Sequence, residues 1–285
     1  MHHKLLRVPS GNFIGRISPN PKARATKEHE PIQFTYNPRT QPRALKLSNF
    51  RSETLTMKTE TLNLNTSHGT SNAFVARPDG DTAAAVLLIQ EWWGINDHIR
   101  DITRRYASEG YLCIAPDLYR GKLAQDPEEA SQMMQALALE DGLETIRAAM
   151  AEAKSVYNVT KFGITGFCMG GTFALRAACQ ISELAAAAPF YGDIPEAEVL
   201  KQLRVPTLFI AGKRDAWINA EKVGALNSAA QEYSLPVEVV IYDADHAFFN
   251  DTRPQVYDAE AAADAWKRVL DLFRKHLTVG VPTGA

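Results

Sequence analysis

From Met57 onward, short runs of apolar and β-branched residues alternate with longer segments that have helical periodicity. Runs such as Ala84–Ile89 are apolar at every position, which is typical of strands buried on both faces of a sheet. Strands that alternate with helices are joined by crossovers and therefore form a mostly parallel sheet. The sequence thus predicts an α/β protein with a doubly wound sheet, helices on both faces and no large lid.

The alternation also gives the expected element bounds. Strands are predicted at Asn72–Ala76, Ala84–Ile89, Leu112–Pro116, Phe162–Thr165, Ala186–Tyr191, Thr207–Ala211 and Val237–Tyr242. Helices are predicted at Asp97–Ser108, Pro127–Leu137, Gly142–Tyr157, Thr172–Cys179, Ala220–Tyr233 and Val256–His276.

Charge divides the chain of 285 residues into two unlike parts. Residues 1–56 hold 10 basic and 3 acidic residues, whereas the remainder holds 21 basic and 30 acidic residues. The first part has no apolar periodicity, so we expect a disordered or non-native extension, with a transit peptide as the alternative. Residues 57–278 are expected to form one domain, followed by a short tail at 279–285. The acidic body argues against nucleic-acid binding.

Cysteine content and hydropathy indicate the surroundings of the protein. Cys113, Cys168 and Cys179 are too few for a disulfide framework or a cysteine metal site, so we expect a reducing, cytoplasmic setting. Apolar runs stay far below the roughly 18 residues that a membrane helix needs. We expect no membrane association, and either a monomer or a weak homodimer.

The segment Gly166-Phe167-Cys168-Met169-Gly170-Gly171 follows one predicted strand and opens a helix. A nucleophile between such glycines at a strand-to-helix turn is typical of a nucleophile elbow. The helix N-terminus would favour a thiolate at Cys168. Two alternatives remain open: a glycine-rich phosphate loop, which lacks the expected Lys-Ser/Thr, and a merely buried cysteine.

A thiol nucleophile needs a base, and this fold places nucleophile, acid and histidine in that chain order. His246 follows the strand Val237–Tyr242, and Asp215 follows the strand Thr207–Ala211. We predict His246 as the base and Asp215 as the acid that orients it. Asp215 could instead cap the helix that begins near Asn219, and His98 is expected to support the site rather than act in it.

The loop Gln90-Glu91-Trp92-Trp93-Gly94 follows an early strand, the position from which such a fold provides an oxyanion donor. We predict that the backbone N–H groups of Trp92 and Met169 form the oxyanion hole. Glu91 is unusual beside a thiol, because its negative charge would raise the thiol pKa. Core packing is the alternative role for Trp92 and Trp93.

Together these segments resemble the dienelactone hydrolase family, whose members combine a Gln-Glu-x-x-Gly loop, a Gly-x-Cys-x-Gly-Gly elbow, a late Asp and an Asp-His-x-Phe loop. The matching residues are Gln90–Gly94, Gly166–Gly171, Asp215 and Asp245–Phe248, and the resemblance covers roughly Met57–Leu277. It implies an α/β-hydrolase fold and hydrolysis of a lactone or carboxylic ester without a metal or organic cofactor. It also implies that Glu91 partners the resting thiol until substrate displaces it.

Two features of the family are missing from this chain. No lysine or arginine occurs from Leu123 to Ile146, where one substrate-binding arginine is expected, and Asn250 stands where the second is expected. Arg120, Lys213 and Arg253 are the cations that could take their place. The side chains expected to contact a small ester or lactone are those of Trp93, Tyr119, Arg120, Tyr191, Trp217 and Phe248.

Two other functions compete with hydrolysis. A binding or regulatory protein could keep the hydrolase fold without its activity. A thiol oxidoreductase would need a resolving cysteine, and Cys113 and Cys179 are not adjacent to Cys168 in sequence. Rapid release of the leaving group from an activated aryl ester would favour hydrolysis over both.

Overall fold

The structure, a computed structural model, describes residues 57–277. The expectations for residues 1–56 and 279–285 lie outside this range. The strands of the described range are β1 (Met57–Thr66), β2 (Gly69–Pro78), β3 (Ala84–Ile89), β4 (Leu112–Pro116), β5 (Lys161–Phe167), β6 (Leu184–Phe190), β7 (Thr207–Gly212) and β8 (Val237–Tyr242). Its helices are α1 (Asp97–Ser108), α2 (Pro127–Ala136), α3 (Leu139–Tyr157), α4 (Met169–Gln180), α5 (Ala197–Leu200), α6 (Ala220–Glu232) and α7 (Ala259–Leu277).

The strands form one sheet in the order β1-β2-β4-β3-β5-β6-β7-β8. β1 and β2 pair antiparallel, as do β2 and β4, whereas every pair from β4 across to β8 is parallel. The chain runs from β3 outward to β4 and then returns to β5 on the other side of β3. An open sheet of this kind binds its ligand at the carboxyl ends of the strands where the winding reverses. The predicted mostly parallel, doubly wound α/β sheet is confirmed.

Alternate residues of the central strands enter two separate cores. In β3, Ala85, Leu87 and Ile89 pack in one core with apolar side chains of α3, α4 and α6. Ala84, Val86 and Leu88 pack in the other with side chains of α1 and α7. Successive side chains of a strand point to opposite faces, so an entirely apolar strand requires helices on both faces.

The hairpin of β1 and β2 differs from the prediction. β1 was not expected, and β2 begins before Asn72. β1 is an edge strand whose side chains are mostly exposed, with Leu64 its one fully buried residue. Polar residues on both faces remove the apolar alternation by which a strand is identified in sequence.

Side-chain caps mark the starts of α1 and α7. α1 has the predicted bounds, and the Asn96 side chain accepts a hydrogen bond from the N–H of Ile99 at its start. α7 begins at Ala259, three residues later than predicted, because the Asp258 carboxylate accepts a hydrogen bond from the N–H of Ala261. Among the described residues, no helix has the length and apolar character needed to cross a membrane.

Candidate active site

Cys168 occupies the turn between β5 and α4 with φ 55° and ψ −117°. Its N–H donates to the carbonyl of Phe190 at the end of β6 (3.1 Å), which holds the turn against the neighbouring strand. A residue other than glycine in such a conformation typically costs about 1–3 kcal/mol and persists only where the surroundings enforce it. The backbone strain, the chain reversal and the helix that follows are the features of the predicted nucleophile elbow.

The glycines beside Cys168 allow backbone segments to approach one another. A Cβ atom on Gly166 would come closer than 3.0 Å to the backbone of Gly170, and a Cβ on Gly170 would do the same to the carbonyl of Ile89. Real Cβ atoms essentially never show such distances, so these positions require glycine. The first turn of α4 is thereby packed directly against the ends of β3 and β5.

Asp215 and His246 meet although 31 residues separate them in sequence. Asp215 Oδ2 lies 2.6 Å from His246 Nδ1, and Oδ1 accepts hydrogen bonds from the N–H groups of Trp217 (2.8 Å) and Ile218 (2.9 Å). Burial alone would raise the pKa of Asp215, but these hydrogen bonds outweigh it and hold the pKa below its usual value. Asn219, not Asp215, caps α6. The carboxylate therefore loses its charge only at a lower pH than an ordinary aspartate, and both of its oxygens have hydrogen-bond partners.

The second ring nitrogen of His246 is available for chemistry. Nε2 is buried and has no hydrogen-bond partner within residues 57–277. The ring contacts Tyr191 on one side and Trp217 on the other, with centroid distances of 5.0 and 4.9 Å. Cys168 and His246 line the same two cavities. No hydrogen bond joins Nε2 to the thiol in the described range, as is common in sites without substrate.

The thiol of Cys168 lies in a strongly unfavourable setting for ionisation. Its pKa is raised to about 12, mostly by burial, with a smaller contribution from the negative charge of Glu91 and a still smaller one from Asp215. The N–H of Met169 and the charge of Arg253 act in the opposite direction. The helix N-terminus was expected to favour a thiolate, but burial and the nearby carboxylates are stronger. Cys168 is therefore a neutral thiol at rest.

Glu91 is a buried carboxylate, with only 2% of its surface exposed. Its Oε2 accepts a hydrogen bond from Asn250 Nδ2 (2.8 Å), and Asn250 in turn accepts from the N–H and hydroxyl of Thr252. Burial raises the pKa of Glu91, although Asn250, Arg253 and His246 oppose the increase. The resemblance implied that Glu91 partners the thiol. In the described residues no hydrogen bond joins the two, and the carboxylate is instead bonded to the amide of Asn250.

Met169 and Trp92, whose N–H groups are the predicted oxyanion donors, each line a cavity that Cys168 also lines. Met169 begins α4, and its N–H interacts with the Cys168 sulfur. Trp92 lines the larger of the two cavities, and its ring packs edge-on against Trp93 (5.3 Å) and Trp217 (5.8 Å). Both N–H groups come from segments that the glycine contacts hold close to Cys168.

Of the other residues predicted to contact substrate, some line the two cavities and others do not. Trp217 lines both cavities and is 55% exposed, and Tyr191 lines the smaller one. Tyr119 donates its hydroxyl hydrogen bond to the Met169 sulfur (3.2 Å). Trp93 packs against Trp92, and Phe248 is buried against Tyr191 and Tyr242; neither lines the two cavities that Cys168 borders.

Arg120 does not reach the site. Its guanidinium makes two hydrogen bonds to Asp141, at 2.5 and 2.8 Å, and it borders a separate polar depression beside the β1–β2 hairpin. The expected role of Arg120 in substrate binding is therefore wrong, since its guanidinium is already bound to the Asp141 carboxylate of α3. Arg253 does line the larger cavity, whereas Lys213 does not.

His98 lines neither of the two cavities that Cys168 and His246 line. It is buried in α1, its Nδ1 lies 3.4 Å from an Asp251 oxygen, and its ring lies 6.3 Å from that of Phe167. Arg105 also pairs with Asp251. These contacts join α1 to the loop that follows His246.

Two cavities open on either side of Cys168, His246 and Trp217, with volumes of about 460 and 390 Å³. The larger one is further lined by Glu91, Trp92, Arg214, Asp215, Ala216, Asp245, Ala247, Arg253, Gln255 and Val256. The smaller one is further lined by Met134, Leu137, Leu139, Met169, Thr172, Phe173, Arg176, Tyr191, Asp193, Ile218 and Lys222. Among the described residues, no group of three His, Cys, Asp or Glu side chains is arranged to hold a metal ion.

Sequence reasoning did not identify Asn250 as the partner of Glu91, nor the apolar lining of the smaller cavity. Asn250 lies 159 residues from Glu91 and appeared only as a departure from a family pattern. Met134, Leu137 and Leu139 appeared only as part of a segment without cations. The absence of lysine and arginine from this segment was the available signal that it lines an apolar part of the cavity.

Comparison with known proteins gives a consistent result. A sequence profile described as the dienelactone hydrolase family matches residues 71–277. A protein of Aquifex aeolicus, provisionally named carboxymethylenebutenolidase, is 33% identical over 205 residues, covering 68% of this chain and 88% of its own. A Yersinia pestis protein of the same provisional name is 33% identical over 229 residues, covering 74% and 85%. A crystal structure of a provisionally named dienelactone hydrolase from Klebsiella pneumoniae superposes with a TM-score of 0.72 at 29% identity, covering 78% of this chain and all of the other.

Proposed function

The chain belongs to the dienelactone hydrolase family, and we propose that it cleaves a lactone or carboxylic ester with Cys168 as nucleophile, His246 as base and Asp215 as the orienting acid. Membership supports hydrolase activity in general. The observation that carries the finer proposal is the 2.6 Å contact of Asp215 with His246 Nδ1, which leaves Nε2 unpartnered in the cavities that Cys168 lines.

In the first half of the reaction, the ester carbonyl lies against Cys168 with its oxygen near the N–H groups of Trp92 and Met169. The thiol proton passes to His246 Nε2 as sulfur bonds to the carbonyl carbon, and the carbonyl oxygen becomes an oxyanion. The positive imidazolium is stabilised by the ionised Asp215. When the C–O bond breaks, the proton on Nε2 goes to the departing alkoxide and a thioester remains on Cys168.

In the second half, water enters the position that the alcohol has left. His246 Nε2 accepts a proton from this water while its oxygen bonds to the thioester carbon. The second oxyanion uses the same two N–H groups, and collapse expels the sulfur, which recovers the proton from His246. The products are a carboxylic acid and an alcohol, or a single hydroxy acid when the substrate is a lactone.

A neutral resting thiol suits this sequence of events. Because burial and Glu91 raise the thiol pKa, a free thiolate is scarce until a substrate is bound and the proton has His246 as its acceptor. Oxidation of cysteine proceeds through the thiolate, so the same setting also protects Cys168 between turnovers.

Burst kinetics with a p-nitrophenyl ester test the proposal. Fast release of one equivalent of nitrophenol, followed by slower turnover, is expected if a thioester accumulates, and mass spectrometry should locate the acyl group on Cys168. Cys168→Ala should abolish both signals with the fold retained, and Cys168→Ser should retain little activity. Turnover by Cys168→Ala at the wild-type rate would refute the assigned nucleophile.

A further inference from the structure

The outer wall of the smaller cavity is apolar. It is formed by five side chains, here called the apolar chamber: Met134 of α2, Leu137 between α2 and α3, Leu139 at the start of α3, Phe173 of α4 and Ile218 after β7. Phe173 and Ile218 are buried, whereas the first three are only partly buried and pack against the core with one side. Apolar surface that remains open next to a reactive group is typical of a ligand pocket.

The chamber is continuous with the proposed reaction centre. Cys168, Met169, His246 and Tyr191 line its inner end, so a group bonded to a carbonyl at Cys168 can enter it directly. The larger cavity also borders Cys168, His246 and Trp217. The rest of its lining differs and includes Arg214, Arg253 and Asp245. An ester carbonyl carries an acyl chain on one side and an alkoxy group on the other. With the carbonyl at Cys168, one of these groups can lie in each cavity.

Among the described residues, the basic side chains that line the smaller cavity are Arg176 and Lys222, and each is already paired with a carboxylate. Arg176 lies 3.3 Å from both oxygens of Glu196, and Lys222 Nζ lies 2.6 Å from Asp193. A charged group placed among Met134, Leu137 and Phe173 would lose its hydration without gaining a partner.

From these observations we infer that the substrate carries an uncharged, apolar acyl or alkoxy group of several carbons, which lies in the apolar chamber during cleavage. The inference rests on the proposed hydrolytic function and specifies its substrate class. A volume of about 390 Å³ falls in the range of about 300–1,000 Å³ of small-molecule sites.

Two series of esters test the inference. In one, the acyl chain of p-nitrophenyl esters lengthens from acetate to octanoate; in the other, the alkyl group of acetate esters lengthens and acid release is titrated. In the series whose chain enters the chamber, kcat/KM should rise about fourfold per methylene, the equivalent of about 0.8 kcal/mol of apolar burial. An acyl chain of equal length that ends in a carboxylate should show no such increase.

Neighbouring methionines of α2 provide a matched pair of variants. Met134 lines the chamber, whereas Met133 packs against the core without lining it. In the series whose chain enters the chamber, Met134→Ala combined with Leu137→Ala should lower the ratio of kcat/KM for the long ester to kcat/KM for the short ester about tenfold. Met133→Ala should leave the ratio of the two esters at its wild-type value.

Gly142→Ala tests the chamber by adding a methyl group next to Phe173, one of its lining side chains. A methyl group at Gly142 would come closer than 3.0 Å to the ring of Phe173, so the ring must shift. The longest ester that is still favoured should then be shorter than in the wild type. This variant adds atoms, so its effect does not depend on a cavity left by truncation.

Binding to Cys168→Ala separates failure of this inference from failure of the proposed function. Trp217 borders both cavities, so its fluorescence reports ligand without turnover. Tighter binding of octyl acetate or the octanoate ester than of the matching short ester supports the chamber even if no ester is cleaved by the wild type, an outcome that refutes only the hydrolytic function. Equal affinity of long and short esters, or a preference for the carboxylate-ended chain, would overturn the inference.

Discussion

Glu91→Gln removes the charge that raises the pKa of the Cys168 thiol most, with little change of shape. The glutamine carbonyl can still accept the hydrogen bond that Asn250 donates to Glu91 Oε2 at 2.8 Å. The negative charge of Glu91 is the second largest cause, after burial, of the high pKa of the Cys168 thiol. Its removal should therefore lower the thiol pKa, but not to the value of an exposed cysteine.

The expected fall in the thiol pKa depends on how burial and the charge of Glu91 compare as causes of the high value. The thiol pKa is raised from 9.0 to about 12, and burial, which the variant leaves in place, contributes most. We expect a fall of about one pKa unit, since a like charge in a buried site acts on that scale. This corresponds to about 1.4 kcal/mol. Far below the pKa, the thiolate fraction and the alkylation rate should rise about tenfold.

Alkylation by iodoacetamide measures the thiolate directly when its rate is followed against pH in both proteins. Cys168→Ala corrects for reaction at the buried Cys113 and Cys179. Glu91→Met removes the charge without offering an amide donor to the sulfur, and Glu128→Gln changes the net charge equally at an exposed position of α2. An unchanged or raised thiol pKa in both Glu91 variants would refute the electrostatic role of Glu91.

The same variant should alter the pH dependence of stability. Burial raises the pKa of Glu91 in the folded protein above the ordinary value of 4.5. For an acid with a raised folded pKa, stability is fully present below about pH 4.5 and is lost as the pH rises through the folded pKa. Glutamine does not ionise, so the Tm of Glu91→Gln should rise relative to the wild type between acid and neutral pH. A difference in Tm that is constant with pH would contradict this reasoning.

Two further predictions concern the orienting acid and the chain before Met57. Asp215→Asn should lower kcat about 10⁴-fold with the fold intact by circular dichroism, because an amide cannot fix the imidazole tautomer or stabilise the imidazolium; a loss below about tenfold would contradict the role. A chain that begins at Met57 should keep the Tm and kcat of the full chain, because residues 1–56 lack the periodicity of core-forming segments; a large fall in either would show that they contribute to the folded domain.

The parts of the fold that were predictable are those in which burial imposes a pattern on the sequence. β3 and α1 have the predicted bounds because one is apolar throughout and the other has a side-chain cap at Asn96. β1 was missed because most of its side chains are exposed and only Leu62 and Leu64 contact the core, which is too few for an apolar alternation along the strand. α3 begins at Leu139 rather than Gly142, and no side chain caps its start; a start without a capping residue leaves no local signal.

The candidate site divides in the same way. Cys168, Asp215 and His246 each follow a recognisable strand, and the order of parallel strands brings their loops to one edge of the sheet. The partner of Glu91 could not be read from local sequence, because the contact with Asn250 depends on how two loops pack. The apolar chamber likewise combines residues of α2, α4 and the loop after β7, whose proximity is a property of the assembled sheet. The catalytic roles themselves remain predictions.

The backbone contacts around Cys168 have a consequence for how this enzyme can diverge. Gly166 and Gly170 face main-chain atoms, so a larger residue there cannot be accommodated by trimming a neighbouring side chain. Met134 and Leu137, by contrast, are partly buried side chains at one wall of a cavity, where a change in size is met by repacking or by the ligand. Selection for a new substrate should therefore fix substitutions in and after α2 while the elbow stays invariant. In a library that varies every position of the chain at random, the selected variants should carry substitutions near Met134 and Leu137 and none at Gly166 or Gly170.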